Sequence, residues 1–194
     1  MNNLNNIEIF KNNISTFKET SKDKNDGNIL FMTESLTKVV DFDGVKNEYI
    51  KDMKLADVPC SNDALYLGDG EKLTFVEFKN GKMSKQKVFD VYYKIYDSLL
   101  ILNDIISHNI SYCREHLNFI LVYNGEKNQE EKEMALQENQ ESPSKITIGK
   151  YFNEKKAKKK FIRFGLEKFE KIYFNEVFTY NEAEFEEKFL KNNT

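Results

Sequence analysis

Cysteine, histidine and proline are scarce in this chain of 194 residues, which holds two of each. Cys60 and Cys113 show no CxxC spacing, and neither has a histidine at metal-ligand spacing, which excludes the usual zinc sites. We expect both thiols to be reduced and packed as small hydrophobic groups. The chain also lacks a phosphate-binding glycine loop and a Ser-His-Asp combination.

Long apolar runs are absent as well. No run of about 18 or more apolar residues occurs, so no transmembrane helix is predicted. The first six residues lack the basic start and apolar stretch of a secretory signal, so we expect a cytoplasmic protein with no membrane partner. The net charge of −3 gives no global attraction to nucleic acid, and any such contact would depend on local patches.

The residues that are present describe a globular chain with an ionised surface, because 40% are hydrophobic and 31% are charged. The apolar spacing predicts the order helix, helix, hairpin, long helix, strand, basic helix, strand, helix. We therefore predict an α/β fold, a mixed β-sheet flanked by helices, in a single domain over residues 1–194. The less regular segments are predicted as helices at 7–17, 29–40 and 150–171, a loop at 18–28, a mobile insertion at 126–144 and a strand at 172–179.

The clearest prediction is a β-hairpin over residues 63–80. An apolar run at 64–67 is followed by Gly68-Asp69-Gly70, which supplies the backbone freedom that a hairpin loop needs, and then by a longer strand at 73–79. Ser84 is a plausible N-cap for the long helix, and 117–123 is an apolar run typical of a buried strand. Asn181 with Glu184 resembles a capping box for the last helix.

The second hairpin strand carries charges that a buried strand normally lacks. Side chains alternate across a strand, so Glu77 and Lys79 share a face. Antiparallel pairing could bring Asp63, at the start of the first strand, close to Glu77. Two carboxylates and a backbone carbonyl can hold Mg²⁺, and a nearby ammonium can neutralise charge on a phosphate.

The acid-x-Lys triplet alone is uninformative, since about five are expected by chance in this composition. Five occur, beginning at Asp52, Glu77, Glu130, Glu154 and Glu186. Only the triplet at Glu77 lies inside an apolar β-strand whose hairpin partner opens with an aspartate. The inference therefore depends on this context.

In that context, Asp63 followed by Glu77-Phe78-Lys79 resembles the PD-(D/E)xK nuclease superfamily. The resemblance covers about residues 29–123 and implies a restriction endonuclease-like core, with one helix before the hairpin and another after it. It implies Mg²⁺ or Mn²⁺ as cofactor, bound by Asp63, Glu77 and the Phe78 carbonyl, with Lys79 as the catalytic lysine. Glu34 is a candidate for a further ligand from the preceding helix. No proline directly precedes Asp63, although Pro59 is near.

The resemblance makes the expected activity metal-dependent cleavage of phosphodiester bonds, with DNA as the expected substrate. No DNA-reading motif is visible, so a protein partner could supply specificity. Candidate phosphate-contacting residues are Lys82, Lys85, Lys87, Lys155, Lys156 and Lys159. The alternative is a non-catalytic module of the same fold, of immunity or regulatory type, in which Glu77 and Lys79 form a structural ion pair.

Overall fold

A six-stranded mixed sheet organises the chain, for which a computed structural model describes residues 4–25, 28–129 and 161–193. The described strands are β1 (Ile14–Thr16), β2 (Lys22–Asn25), β3 (Asn28–Phe31), β4 (Lys38–Asp41), β5 (Ala64–Leu67), β6 (Leu73–Lys79), β7 (Leu117–Tyr123) and β8 (Val177–Asn181). The described helices are α1 (Glu8–Asn12), α2 (Phe17–Thr20), α3 (Phe42–Tyr49), α4 (Lys85–Ile106), α5 (Ile110–His116) and α6 (Glu182–Lys188).

The strand order is β1-β4-β5-β6-β7-β8, and β2 and β3 pair separately. Strands β1, β4, β5 and β6 are joined by antiparallel pairing, whereas β6, β7 and β8 run parallel. The parallel step from β6 to β7 needs a crossover, which α4 and α5 provide. The predicted α/β class with a mixed, helix-flanked sheet is confirmed.

Alternation along β6 divides the core between the two faces of the sheet. Phe75 packs in a cluster with residues of α1, α3, α4 and α5, while Val76 and Phe78 pack in a second cluster with Phe17 of α2 and Phe185 of α6. Each face of β6 is therefore covered by helices. The odd-numbered side chains of this strand point toward α4.

The strongly patterned elements lie where the sequence predicts them. The hairpin strands and the strand over 117–123 have the predicted bounds. Ser84 caps α4 by accepting a hydrogen bond from the Lys87 amide. Asn181 and Glu184 form the predicted capping box at α6.

The helix predicted over 29–40 is wrong, because this segment contains β3 and β4. Val39 and Val40 of β4 pair with Ser15 and Ile14, so tertiary pairing of β-branched residues overrides the apparent helical spacing. Leu36, which the helical pattern required to be inside, is 73% exposed.

Other weak predictions were corrected in part. The segment 7–17 divides into α1 and β1, and the supposed loop over 18–28 contains the end of α2 and the strand β2. Leu166–Phe169 is a 3-10 helix within the predicted basic helix, and the last strand begins at Val177. Glu126–Asn128 is a 3-10 helix, and residues 130–144 of the predicted insertion lie outside the described residues.

The two cysteines differ in environment: both are free thiols, but Cys113 is buried and Cys60 is exposed. The prediction of a packed thiol is thus confirmed for Cys113 and wrong for Cys60. Across the described ranges, no helix combines the length and apolarity needed to cross a bilayer.

Phe75 is expected to be a main stability determinant, because it is fully buried and its ring lies 4.7 Å from that of Phe42. Phe75→Ala should lower the free energy of unfolding by about 3–5 kcal/mol through lost burial and a residual cavity. Urea denaturation measures the loss. Tyr93→Ala, at a side chain 61% exposed, is the control and should change stability by less than about 0.5 kcal/mol.

Candidate active site

Strand β6 presents Glu77 and Lys79 to the α4 side of the sheet because Phe78, between them, is anchored on the other side. The Phe78 ring lies 6.4 Å from that of Phe17 and 5.7 Å from that of Phe185, in edge-to-face contacts. This anchoring fixes the orientation of the strand end. Both charged side chains are thereby directed toward α4.

Asp63 is delivered to the same point by the pairing of β4, β5 and β6. Ala64 pairs with Val76 on one side and with Asp41 on the other. The Asp63 carbonyl accepts a hydrogen bond from the Phe42 amide (3.2 Å), and its Oδ2 accepts one from the Phe78 amide (2.7 Å). The predicted approach of Asp63 to the end of β6 is confirmed.

A fourth side chain, Lys94 of α4, joins the three predicted ones. Its Nζ lies 2.9 Å from Asp63 Oδ1 and 2.7 Å from Glu77 Oε1. Lys79 Nζ lies 2.6 Å from the same Glu77 oxygen. Two carboxylates and two ammonium groups thus form a neutral quartet.

Sequence reasoning missed Lys94, although a signal was present. Lys94 stands directly before Ile95, a member of the apolar stripe of α4, and only 20% of its side chain is exposed. A lysine beside the buried stripe of the helix that packs on the Glu77 face needs an anionic partner. Glu77 and Asp63 are that partner.

The segment before Asp63 is tied to α4 one turn beyond Lys94. The Cys60 amide donates to Asp97 Oδ2 and the Asn62 amide to Ser98 Oγ, both at 2.8 Å. These bonds hold the start of β5 against the helix that carries Lys94. The separation between Asp63 and Lys94 is therefore set by backbone contacts as well as by their charges.

Glu77 is the most deeply enclosed member of the quartet, with no exposed surface. Both ammonium groups lie beside its Oε1, but neither Oε1 nor Oε2 has a partner in hydrogen-bond geometry among the described residues. A buried carboxylate oxygen without such a partner is energetically costly. The quartet balances total charge but leaves the carboxylate of Glu77 short of hydrogen bonds.

Burial is the main influence on the pKa of Asp63. Burial and the charge of Glu77 raise the pKa of Asp63 to about 7, although Lys94 and Lys79 act in the opposite direction. Burial by itself lowers the pKa of Lys94, but the charges of Glu77 and Asp63 outweigh it, so that pKa lies above its ordinary value. Lys94 therefore stays protonated, and Asp63 titrates near neutrality.

A cleft of about 600 Å³ opens beside the quartet, and Asp63, Phe78 and Lys79 contribute to its lining. The other charged side chains that line it are Glu19, Lys22, Asp23, Asp41, Asp43, Lys87 and Asp90. Including Asp63 and Lys79, the lining holds six carboxylates and three lysines. The cleft consequently favours cations over bare anions.

Glu34 lies away from this cleft. It follows β3 in a non-helical segment, 76% of its side chain is exposed, and it pairs with Lys18 at 2.6 Å. The structure therefore does not bring this ligand candidate to Asp63 and Glu77, because the helix that was to carry it does not form.

The predicted phosphate-contacting lysines lie in different places. Lys87 lines the cleft, Lys82 is an exposed residue between β6 and α4, and Lys85 is the exposed first residue of α4. Lys155, Lys156 and Lys159 lie outside the described residues. Only Lys87 of the described candidates reaches the cleft itself.

Comparison with known proteins adds no relative. No protein family, curated protein or solved structure significantly matches this chain. The resemblance to PD-(D/E)xK nucleases therefore stays a prediction, which depends on Asp63, Glu77 and Lys79 and on their positions in the hairpin.

The pKa of Asp63 has a measurable consequence for stability. The folded chain holds the Asp63 proton more tightly than the unfolded chain, where the pKa is 3.8, so the free energy of unfolding should fall between pH 4 and about 7 and level off above it. Urea denaturation across this range tests the slope. Asp63→Asn should remove that contribution, whereas Asp52→Asn, at an exposed carboxylate outside the cleft, should retain it.

Ser98 is expected to be important for the position of Asp63. Ser98→Ala would leave the buried Asn62 amide without its acceptor, which should cost about 1–3 kcal/mol of unfolding free energy. Amide hydrogen exchange at Asn62 should accelerate at the same time. Unchanged exchange at Asn62 would contradict an anchoring role for this hydrogen bond.

Proposed function

We propose that this protein is a Mg²⁺-dependent nuclease that hydrolyses phosphodiester bonds, with DNA as the expected substrate. The observation that carries the proposal is that Asp63 and Glu77 contact the same cationic atom, Lys94 Nζ, at 2.9 and 2.7 Å. Two carboxylates that converge on one ammonium can converge on a metal ion. The cleft beside them provides room for a phosphate group.

The donor set fits a hard divalent cation. Asp63 and Glu77 would supply carboxylate oxygens and Phe78 its backbone carbonyl. Mg²⁺ takes such oxygen ligands and keeps several waters. When bound, the ion supplies charge stabilisation at a phosphoryl oxygen and a more acidic water.

Lys79 has the position required of a catalytic ammonium. It extends from the last residue of β6, lines the cleft and retains 20% exposure of its side chain. Its contact with Glu77 keeps it oriented. From there it can orient a water molecule or neutralise charge that develops on a phosphate in the cleft.

The order of elements around the site supports the proposal in a limited way. The helix predicted over 29–40 does not form, but α3 precedes the hairpin of β5 and β6, and the predicted long helix, α4, follows it. The three motif residues lie at one end of this hairpin.

The charge of the cleft bears on how a nucleic acid would bind. Six carboxylates against three lysines disfavour a polyanion unless a cation is present. Substrate binding should therefore depend on the divalent ion as strongly as cleavage does. Lys87 at the cleft edge would be the first lysine to meet a phosphate backbone.

The balance of charge within the quartet favours a second candidate function. Glu77 pairs with Lys79 and Lys94, and Asp63 pairs with Lys94, so the four charges balance without any ligand. A non-catalytic module, binding a protein or nucleic-acid partner, would use the same ion pairs only for stability. Metal-dependent cleavage separates the two functions.

The full chain should cleave at least one of duplex DNA, single-stranded DNA and RNA in Mg²⁺ or Mn²⁺, and EDTA should abolish the activity. Lys79→Ala should reduce the rate by roughly 10²–10³-fold, since it removes one charge-stabilising group. Asp63→Ala should also remove metal binding in a calorimetric titration.

Lys72→Ala is the matched control, because Lys72 is an exposed lysine on the hairpin loop that does not line this cleft. Its activity should equal that of the wild type. Metal binding without cleavage of any substrate, or cleavage that survives Lys79→Ala, would favour the non-catalytic module or a contaminating nuclease.

A further inference from the structure

Lys94 occupies the point at which a divalent ion would have to bind. Its Nζ bridges Asp63 Oδ1 and Glu77 Oε1, the two carboxylates that form the proposed metal site. Lys79 differs in this respect, because it contacts Glu77 alone. Only one of the two lysines therefore acts as a cationic bridge.

We propose that Lys94 is an intrinsic counter-ion that competes with the divalent cation for Asp63 and Glu77, so that metal loading requires its ammonium to withdraw. This inference rests on the proposed function, since it concerns regulation of the same site. Lys94 would hold the metal-free site in a closed, neutral state. Its withdrawal would couple cation binding to a local change of conformation.

Electrostatic repulsion makes the competition unavoidable. An ammonium within 3 Å of the oxygens that bind a divalent ion would lie close to that ion, and like charges at such distances repel strongly in a partly buried site. Asp63 and Glu77 cannot offer the same oxygens to both cations. One of the two must leave.

The shortage of hydrogen bonds at the Glu77 carboxylate gives the divalent ion an advantage over the lysine. Lys94 and Lys79 both lie beside Oε1, yet neither Oε1 nor Oε2 of this fully buried group has a hydrogen-bond partner among the described residues. A metal ion with its bound waters offers more positive charge and more donors than an ammonium. The metal-free quartet thus retains affinity for a stronger cation.

Helix α4 also supplies an acceptor for the displaced ammonium. Asp90 lies four residues before Lys94, which is the favourable order for an acid-lysine pair on a helix. Asp90 lines the cleft and is exposed, and its carboxylate accepts a hydrogen bond from Gln86. The flexible stem of Lys94 allows this movement while α4 stays fixed by its bonds to residues 60–62.

Titration of the full chain with Mn²⁺ alone, followed by calorimetry and by the manganese EPR signal, tests the competition. Lys94→Met removes the charge at similar length and should tighten Mn²⁺ binding at least about tenfold, a coupling of the size found between contacting groups. Lys94→Arg retains the charge and should bind Mn²⁺ as weakly as the wild type. Lys79→Met, the matched control, should change affinity less than Lys94→Met.

Asp90→Asn tests whether Asp90 accepts the Lys94 ammonium after a metal ion displaces it. It should weaken Mn²⁺ binding in the wild type and have no effect in the Lys94→Met background, because no ammonium is left to be received. An equal effect in both backgrounds would show that Asp90 acts through its charge alone and would overturn this part of the proposal.

The outcomes separate this inference from the proposed function. Mn²⁺ binding by the wild type with equal or weaker binding by Lys94→Met overturns the competition and leaves the nuclease proposal intact. Absence of binding in both proteins overturns both. If Lys94→Met unfolds without metal, millimolar Mn²⁺ should restore its circular dichroism, because a ligand bound to the native state stabilises it; failure to do so overturns the inference.

Discussion

The complete burial of the Glu77 carboxylate is the constraint on which this end of the sheet depends. A carboxylate with no exposed surface needs neighbouring cations, and the fold supplies one from its own strand and one from the helix that packs above it. The helix must then be held at a fixed distance from β6. The hydrogen bonds from residues 60–62 to Asp97 and Ser98 provide that restraint. One buried charge thus links the hairpin, the preceding loop and α4.

The same constraint explains why Asp63 is unusual among the carboxylates of the described residues. Asp63 must share Lys94 with Glu77, which is closer to that lysine and is fully enclosed. Burial and this neighbour raise the pKa of Asp63 to about 7. Burial is the larger cause of this shift, since the two ammonium groups already match the two acids in charge. Binding a metal ion and pairing with lysine are two ways to neutralise these two buried carboxylates.

The sequence predicted the structure best where the local residue pattern and the tertiary packing favour the same element. The strand of Glu77, the loop after Leu67 and the helix capped by Ser84 each carry a local signal that tertiary packing reinforces. Glu34 was misplaced because the spacing over 29–40 imitates a helix, whereas the pairing of Val39 and Val40 with β1 decides the structure. Lys94 was missed because its role arises only when α4 packs on β6. Its place beside the apolar stripe indicates only that it needs an anionic partner, not which residue that partner is.

The mixed sheet explains how three distant segments reach one point. The antiparallel pairing of β5 with β6 brings Asp63 to the end of the strand that carries Glu77, and the parallel crossover from β6 to β7 requires a helix on one face. That helix lies on the Glu77 face because Phe78 commits the opposite face to the cluster of Phe17 and Phe185. Lys94 is therefore brought to the carboxylates by the topology of the sheet. Strand β6 directs Phe78 into one core and Glu77 toward the helix on the other face. The buried Glu77 carboxylate then requires a cation beside it, whether ammonium or metal.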